Sequence, residues 1–353
     1  MSLLPSADKP IRVLLVDDSP LVLTILGRML AHSPEIQVVG KAHHGKEALE
    51  LIPQLQPDVI CTDYQMPVMD GLEFTRAVMA QFPRPILVIS SIVGPDNTDK
   101  VFELLEAGAV DVFAKPSGGL GADDKAAAQI IGKIKILAGV IVFKRSSQAP
   151  STPMPISSTP QSTPVRVVTI GASTGGPQAL HEILTQLPPD FSCPILCVQH
   201  ISEGFLQGLV DWLAAQCRIE VKIARTGEMP QPATVYFPEE ETHLTVDGKG
   251  RLVSSHQAPI GGHRPAVTVL FNSVAEYYGS SAIAVLLTGM GSDGAAGMQA
   301  IARAGGVTIA QDEASCVVFG MPKQAIDLGA VRHVLPPLEI GRTLIRCASV
   351  GKG

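Results

Sequence analysis

Short runs of β-branched and aliphatic residues alternate with longer stretches of helical period along most of this chain. The first runs are IRVLLVDD, IQVVG, DVICTD, PILVISS and DVFAKP. Between them lie segments such as PLVLTILGRMLAHS and GLEFTRAVMAQF, in which apolar residues recur every three or four positions. Five repeats of strand and helix predict an α/β domain with a parallel sheet. The alternation resumes with VRVVTIGAS, GGPQALHEILTQL, CPILCVQH and GFLQGLVDWLAAQC, and AIAVLLTG and VTIAQ follow as later strands. HLTVDGKGRLVSS breaks the pattern: its Asp247-Gly248 pair suits a tight turn and predicts an antiparallel hairpin. Ligand sites in both halves are expected at the carboxyl ends of the strands.

The stretch SSQAPSTPMPISSTPQSTP, from Ser146 to Pro164, has too little apolar surface to fold alone. As a coil of about 20 residues it would span roughly 25 Å, enough for two domains to dock or separate. The expected division is therefore residues 1–145, a flexible linker at 146–164, and residues 165–353. Ile130 to Phe143 is the most apolar stretch near mid-chain. It is interrupted by Lys133 and Lys135 and falls short of the roughly 20 residues of a membrane span, so an amphipathic or partly buried helix is expected there and no membrane insertion.

A length of 353 residues, 46% hydrophobic and 17% charged, agrees with two globular domains. The formal net charge of −6 leaves no basic footprint for nucleic acid. Cys61, Cys193, Cys197, Cys217, Cys316 and Cys347 lack paired spacing, and no secretory leader precedes them. Buried free thiols in a reducing cytosol are the expectation.

Candidate chemistry sits at the predicted strand ends. Asp17 and Asp18 end the first strand and Asp63 the third, so three carboxylates would converge on one crevice. Such oxygen ligands suit Mg²⁺, which would shield an incoming phosphoryl group while a carboxylate attacks phosphorus. Ser90 and Lys115, at the ends of the fourth and fifth strands, could hold phosphoryl oxygens. A lone strand-end aspartate is more often a helix cap, and it is the set of five that points to chemistry. LLVDDSP, TDYQMPVMDG, ISS and AKP resemble the motifs of bacterial two-component receiver domains, which have a flavodoxin-like fold. The resemblance implies Asp63 as phosphoacceptor, Asp17, Asp18 and Asp63 around Mg²⁺, Ser90 and Lys115 as phosphate-sensing residues, and a histidine kinase as phosphodonor. Many receivers carry an aromatic residue that swings with phosphorylation where this chain has Val112, which leaves the route of the switch open.

In the second half, Gly171-Ala172-Ser173-Thr174-Gly175 is a G-x-S-x-G sequence between a strand and a helix. Its glycines permit a tight turn that exposes the hydroxyl beside amides at a helix N-terminus. A phosphate-binding loop or a simple helix cap would read the same way. His200 ends the next strand, and Asp293 follows AIAVLLTG. An imidazole can take the serine proton, and a carboxylate can fix its tautomer. The order Ser, His, Asp differs from that of the α/β-hydrolases. GASTGGP, VQH, HRPAV, LLTGMGSDGAAGM and QDEASCVVFGMPKQAI closely resemble the catalytic domain of bacterial chemotaxis protein-glutamate methylesterases.

That resemblance implies a Rossmann-like α/β domain, mostly parallel with a hairpin, and hydrolysis of γ-glutamyl methyl esters on methyl-accepting chemotaxis receptors. It also implies deamidation of receptor glutamines, no cofactor for hydrolysis, and a cytoplasmic enzyme recruited to receptor clusters. Ser173, His200 and Asp293 would act as nucleophile, base and orienting acid, with backbone amides at Thr174 and Met290 as oxyanion donors. Phe237-Pro238-Glu239-Glu240-Glu241 replaces an Ala-Pro-Gly-Asp-like turn of the family. Those glutamates read as a solvated loop or, beside the site, as a selector of receptor segments. Two alternatives stay open: a non-catalytic nucleotide- or phosphate-binding output module, and an esterase serving an output other than chemotaxis.

Overall fold

A computed structural model of the chain describes residues 9–91, 94–116, 123–140 and 164–349. Nearly all of the expected linker at 146–164 lies outside the described residues. The first half runs β1 Ile11–Val16, α1 Pro20–Leu30, β2 Ile36–Ala42, α2 Gly45–Leu55, β3 Val59–Thr62, α3 Gly71–Gln81, β4 Ile86–Ser90, α4 Gly94–Glu106, β5 Asp111–Ala114 and α5 Asp123–Leu137. Its sheet is parallel, in the order β2-β1-β3-β4-β5. Strands covered on both faces by helices must be apolar throughout. Hence β3 and β4 are continuous buried runs. Local caps start the helices: Asp70 accepts from the Glu73 amide ahead of α3, and Ser19 accepts from the Val22 amide ahead of α1. The apolar stretch from Ile130 is helical as far as Leu137, with Ile130, Ile134 and Leu137 buried, and residues 141–143 lie outside the described residues.

The second half runs β6 Val167–Ala172, α6 Gly176–Leu184, β7 Ile195–Gln199, α7 Leu206–Gln216, β8 Glu220–Ile223, β9 Thr234–Phe237, β10 His243–Val246 and β11 Leu252–Ser255. It continues with α8 Val267–Tyr278, β12 Ala282–Leu286, α9 Ala295–Arg303, β13 Val307–Gln311, α10 Met321–Asp327, β14 His333–Leu335 and α11 Pro337–Ser349. Seven parallel strands form one sheet in the order β14-β13-β12-β6-β7-β9-β8, and β10 and β11 make the expected hairpin, Val246 opposite Leu252. Strand order reverses at β1/β3 in the first sheet and at β6/β12 in the second. Connections leave opposite faces at such points, opening a crevice outside the strand ends. Both sets of predicted site residues lie there.

The halves touch through α4 and β5 on one side and α6, α7 and the loop after β6 on the other. Phe102 of α4 stacks on Trp212 of α7 with centroids 5.5 Å apart, and the Trp212 indole N–H donates to Glu106 at 3.1 Å. Gln178 donates to the Ala109 carbonyl, and the Ser202 hydroxyl to that of Val112. Among the described residues no helix is long and apolar enough to cross a membrane.

Candidate functional site

In the first sheet, Asp17 and Asp63 are buried and Asp18 is exposed, and each offers an oxygen within 4.8 Å of the others. Lys115 lies 2.7 Å from both Asp17 and Asp63. Its amide donates to the Ser90 carbonyl, which sets the ammonium and the Ser90 hydroxyl at adjacent strand ends. Burial pushes the Asp63 carboxyl up despite its contact with Lys115. Burial acts the other way on Lys115, but the two carboxylates outweigh it and raise its pKa. Three hard oxygen donors with one open, exposed side match what Mg²⁺ requires, since it keeps several waters. Asp17, Asp18, Asp63 and Lys115 are thus in one crevice, with Ser90 at the end of the strand next to that of Lys115.

In the second sheet, Ser173 leaves β6 on a turn whose backbone is held at several points. Its amide donates to the Thr288 carbonyl at 3.0 Å, and Gln199 donates from its side chain to the Ser173 carbonyl at 2.7 Å. Thr288 holds both neighbouring loops: its hydroxyl donates to the Thr174 carbonyl and accepts from the Val318 amide. Gly175 has φ of +78°, and a Cβ there would lie 2.5 Å from Val317. Only glycine satisfies both demands. The turn after β12 presses equally close: a Cβ on Gly289 would fall 2.6 Å from Ser173 Cβ.

His200 follows β7, its amide paired to the Ala172 carbonyl, which sets it in register with Ser173 on the neighbouring strand. Its Nε2 lies 3.0 Å from Asp293 Oδ2. The other ring nitrogen, Nδ1, is buried and has no hydrogen-bond partner among the described residues. Asp293 also accepts the Val267 and Thr268 amides at 2.7 and 2.9 Å, the first turn of α8. Burial by itself would raise its carboxyl. The contact with His200 and the hydrogen bonds from Thr268 reverse this and hold it well below the usual carboxylate range. Of the three residues expected to work together, the structure pairs His200 with Asp293 and sets Ser173 at the end of the adjoining strand. Ser173 makes no hydrogen bond to His200, and a carboxylate fixed as the anion backs the imidazole.

Two of the amides at this site are already engaged: that of Ser173, and that of Gly289, which donates to the Val318 carbonyl at 3.0 Å. Thr174 is buried with its hydroxyl 3.0 Å from Asp111 of the first half, an oxygen that also contacts Lys133. Met290 is 54% exposed at the tip of its turn. The glutamates after β9 divide. Glu239 is exposed, Glu240 accepts the Gly204 and Leu206 amides at the start of α7, and Glu241 pairs with Arg264 at 2.7 Å. Thr288, Gln199 and Thr268 were not singled out for a role from sequence, nor was His263, whose ring stacks on that of His200. Gln199 lies in VQH, Thr288 in LLTGMGSDGAAGM and His263 in HRPAV, but nothing in those segments marks these positions off from their neighbours.

Two family models match the chain: "CheB methylesterase" over residues 168–344 and "Response regulator receiver domain" over residues 13–119. A Syntrophus aciditrophicus protein called protein-glutamate methylesterase/protein-glutamine glutaminase 1 is 40% identical over 96% of this chain and 98% of its own length. A Methanospirillum hungatei protein, protein-glutamate methylesterase/protein-glutamine glutaminase 2, is 42% identical over 95% and 97%. The crystal structure of the Thermotoga maritima CheB methylesterase catalytic domain covers 52% of this chain and 99% of that domain, with 40% identity and a TM-score of 0.50.

Proposed function

The chain belongs to the CheB methylesterase family, with a receiver domain ahead of the methylesterase domain, and on that premise we propose that it is a phosphorylation-controlled protein-glutamate methylesterase. Its substrates are γ-glutamyl methyl esters on chemoreceptor cytoplasmic segments, and it also deamidates receptor glutamines. The domain limits that go with this reading are 1–145 for the receiver, 146–164 for the linker and 165–353 for the hydrolase. The observation that carries the reading is the geometry of His200: Nε2 on an anionic Asp293, Nδ1 without a hydrogen-bond partner, and a backbone amide paired to Ala172, the residue before Ser173.

In this mechanism Ser173 attacks the ester carbonyl while His200 Nδ1 takes its proton. Asp293, already an anion, orients the ring and stabilises the imidazolium. The amides of Thr174 and Met290 receive the oxyanion, because those of Ser173 and Gly289 are spent within the protein. The imidazolium gives its proton to the ester oxygen, or to the amide nitrogen of a glutamine, as the bond to the carbonyl carbon breaks, so methanol or ammonia leaves and Ser173 is acylated. Water then attacks the acyl-enzyme with His200 again as base, releasing the glutamate.

In the receiver domain, Asp17, Asp18 and Asp63 would hold Mg²⁺, which supplies charge neutralisation when bound. Asp63 accepts the phosphoryl group from a histidine kinase, and Ser90 and Lys115 contact its oxygens. Unphosphorylated, the receiver restrains the hydrolase. The contacts that support this restraint are the Phe102–Trp212 stack and the bond from Thr174, next to the nucleophile, to Asp111. Shifting a closed state from 99:1 to 1:99 would need about 5.5 kcal/mol of differential stabilisation, so activation by phosphorylation is partial.

The test is methanol release from radiomethylated receptors of the same cell, with and without a small-molecule phosphodonor. Release is expected to rise with the donor, and Ser173→Ala is expected to lose on the order of 10⁴-fold in turnover and all labelling by a fluorophosphonate. No release under either condition overturns the esterase.

A further inference from the structure

The mechanism leaves unused the histidine that touches its base. The rings of His263 and His200 have centroids 4.1 Å apart and planes inclined by only 2°. One edge of the His200 ring is tied to Asp293, and its Nδ1 has no hydrogen bond to hold it. A ring held at one edge can still rotate about that bond. A second flat ring against its face removes this freedom.

His263 is built into place rather than resting there. It lies on the segment between β11 and α8, where the backbones of Ile260 and His263 bond each other in both directions at 3.0 Å. The next residue, Arg264, reaches Glu241 at 2.7 Å and the carbonyls of His256 and Gln257. At both ends the segment is gripped by one fully buried side chain, His243: Nε2 lies 3.2 Å from the Ala258 carbonyl, and Nδ1 accepts the Ala266 amide at 3.2 Å. Since Nδ1 accepts, Nε2 carries the proton and donates, which fixes the tautomer of His243. Ala266 precedes α8, whose first amides hold Asp293. The same short stretch of chain therefore positions both the carboxylate edge and the stacked face of the base.

We propose that His263 is a positioning residue for the hydrolysis, a neutral imidazole that holds the plane of His200 so that Nδ1 stays aimed at Ser173. The inference rests on His200 being the base. Neutrality matters because His200 becomes cationic as the serine is deprotonated. A neutral ring offers its π face to that cation, whereas a second imidazolium would repel it. The charged groups around His263 agree with this. Burial and the neighbouring His200 lower its pKa, Asp293 opposes them less strongly, and the Arg264 guanidinium is paired with Glu241.

The experiment compares His263→Phe and His263→Ala with the parent, all full length. Initial rates of methanol release are measured on radiomethylated receptor membranes from pH 6 to 9, with fluorophosphonate labelling alongside. The parent must release methanol and Ser173→Ala must not; failure there overturns the esterase reading itself. Given that, His263→Ala is expected to lower kcat by about 10- to 100-fold with KM changed less than about twofold. His263→Phe restores the flat ring and is expected to recover most of kcat with an unchanged pH profile. Folding is checked by thermal melting, and if the alanine protein does not fold, His263→Phe against His263→Leu decides the question. Full activity in the alanine or leucine protein overturns the proposal. So does a phenylalanine protein no better than the one lacking a ring, or an effect confined to KM, which would make His263 a substrate contact.

Discussion

At the scale of single residues, the site depends on how closely two loops approach. Gly289 meets Ser173 Cβ on one side and the Met321 sulfur on the other, where an added Cβ would lie 2.6 and 2.4 Å away. Neither neighbour can retreat easily: Met321 is fully buried, and the Ser173 backbone is pinned by Thr288 and Gln199. Gly289→Ala should therefore displace the nucleophile without touching any group that does chemistry. Displacements near 1 Å cost about 10²-fold in rate. The expected result is a loss of that order in both methanol release and fluorophosphonate labelling, with the melting temperature lowered. An alanine protein that labels as fast as the parent would show that the two loops are freer than this packing implies.

At the scale of elements, Asp293 serves a helix as well as a histidine. Its two oxygens accept the first amides of α8, so a negative charge sits at the positive end of that helix dipole. Asp293→Asn keeps the shape and removes the charge. Turnover should fall on the order of 10⁴-fold, because an amide can orient the wrong tautomer of His200. Stability at pH 7 should fall by about 1 kcal/mol, measured by urea unfolding. The pH dependence has a definite sign. The folded carboxyl titrates below its ordinary value near 3.8, so its contribution is complete above that value and is lost as pH falls through the folded pKa. The parent should lose stability more steeply than the asparagine protein as pH falls below about 4.

Much of this architecture is legible in the chain because buried parallel strands are written as unbroken apolar runs. β6, β7 and β12 are buried at every position, and the residues that follow them carry the site. The hairpin at Asp247 was legible from its turn chemistry alone. The edge of the sheet was not. β8 and β14 have only four and three residues, are partly exposed, and share no period with a neighbour. His263 was illegible for a different reason. Its position comes from a grip by His243, twenty residues earlier in the chain, and no local pattern encodes such a contact.

At the scale of the whole molecule, the sequence indicates two domains and a tether but not which faces meet. The contact face is made by α4, a helix with ordinary amphipathic spacing, and by an indole in α7 that reads as core. Trp212 is the only tryptophan of the chain, 5% exposed, stacked on Phe102 and bonded to Glu106 across the interface. Its emission therefore reports on docking. If phosphorylation of Asp63 loosens the receiver, a phosphodonor with Mg²⁺ should move Trp212 emission to the red as the indole meets water, and Asp63→Asn should abolish the change. Phe102→Ala removes the stacked ring and should produce part of the red shift without any donor, together with a higher basal rate of methanol release. The two readouts are coupled by the geometry: the contact that buries Trp212 joins the same two halves as the bond from the Thr174 hydroxyl to Asp111. A donor-dependent rise in activity with unchanged Trp212 emission would place the switch elsewhere than this face.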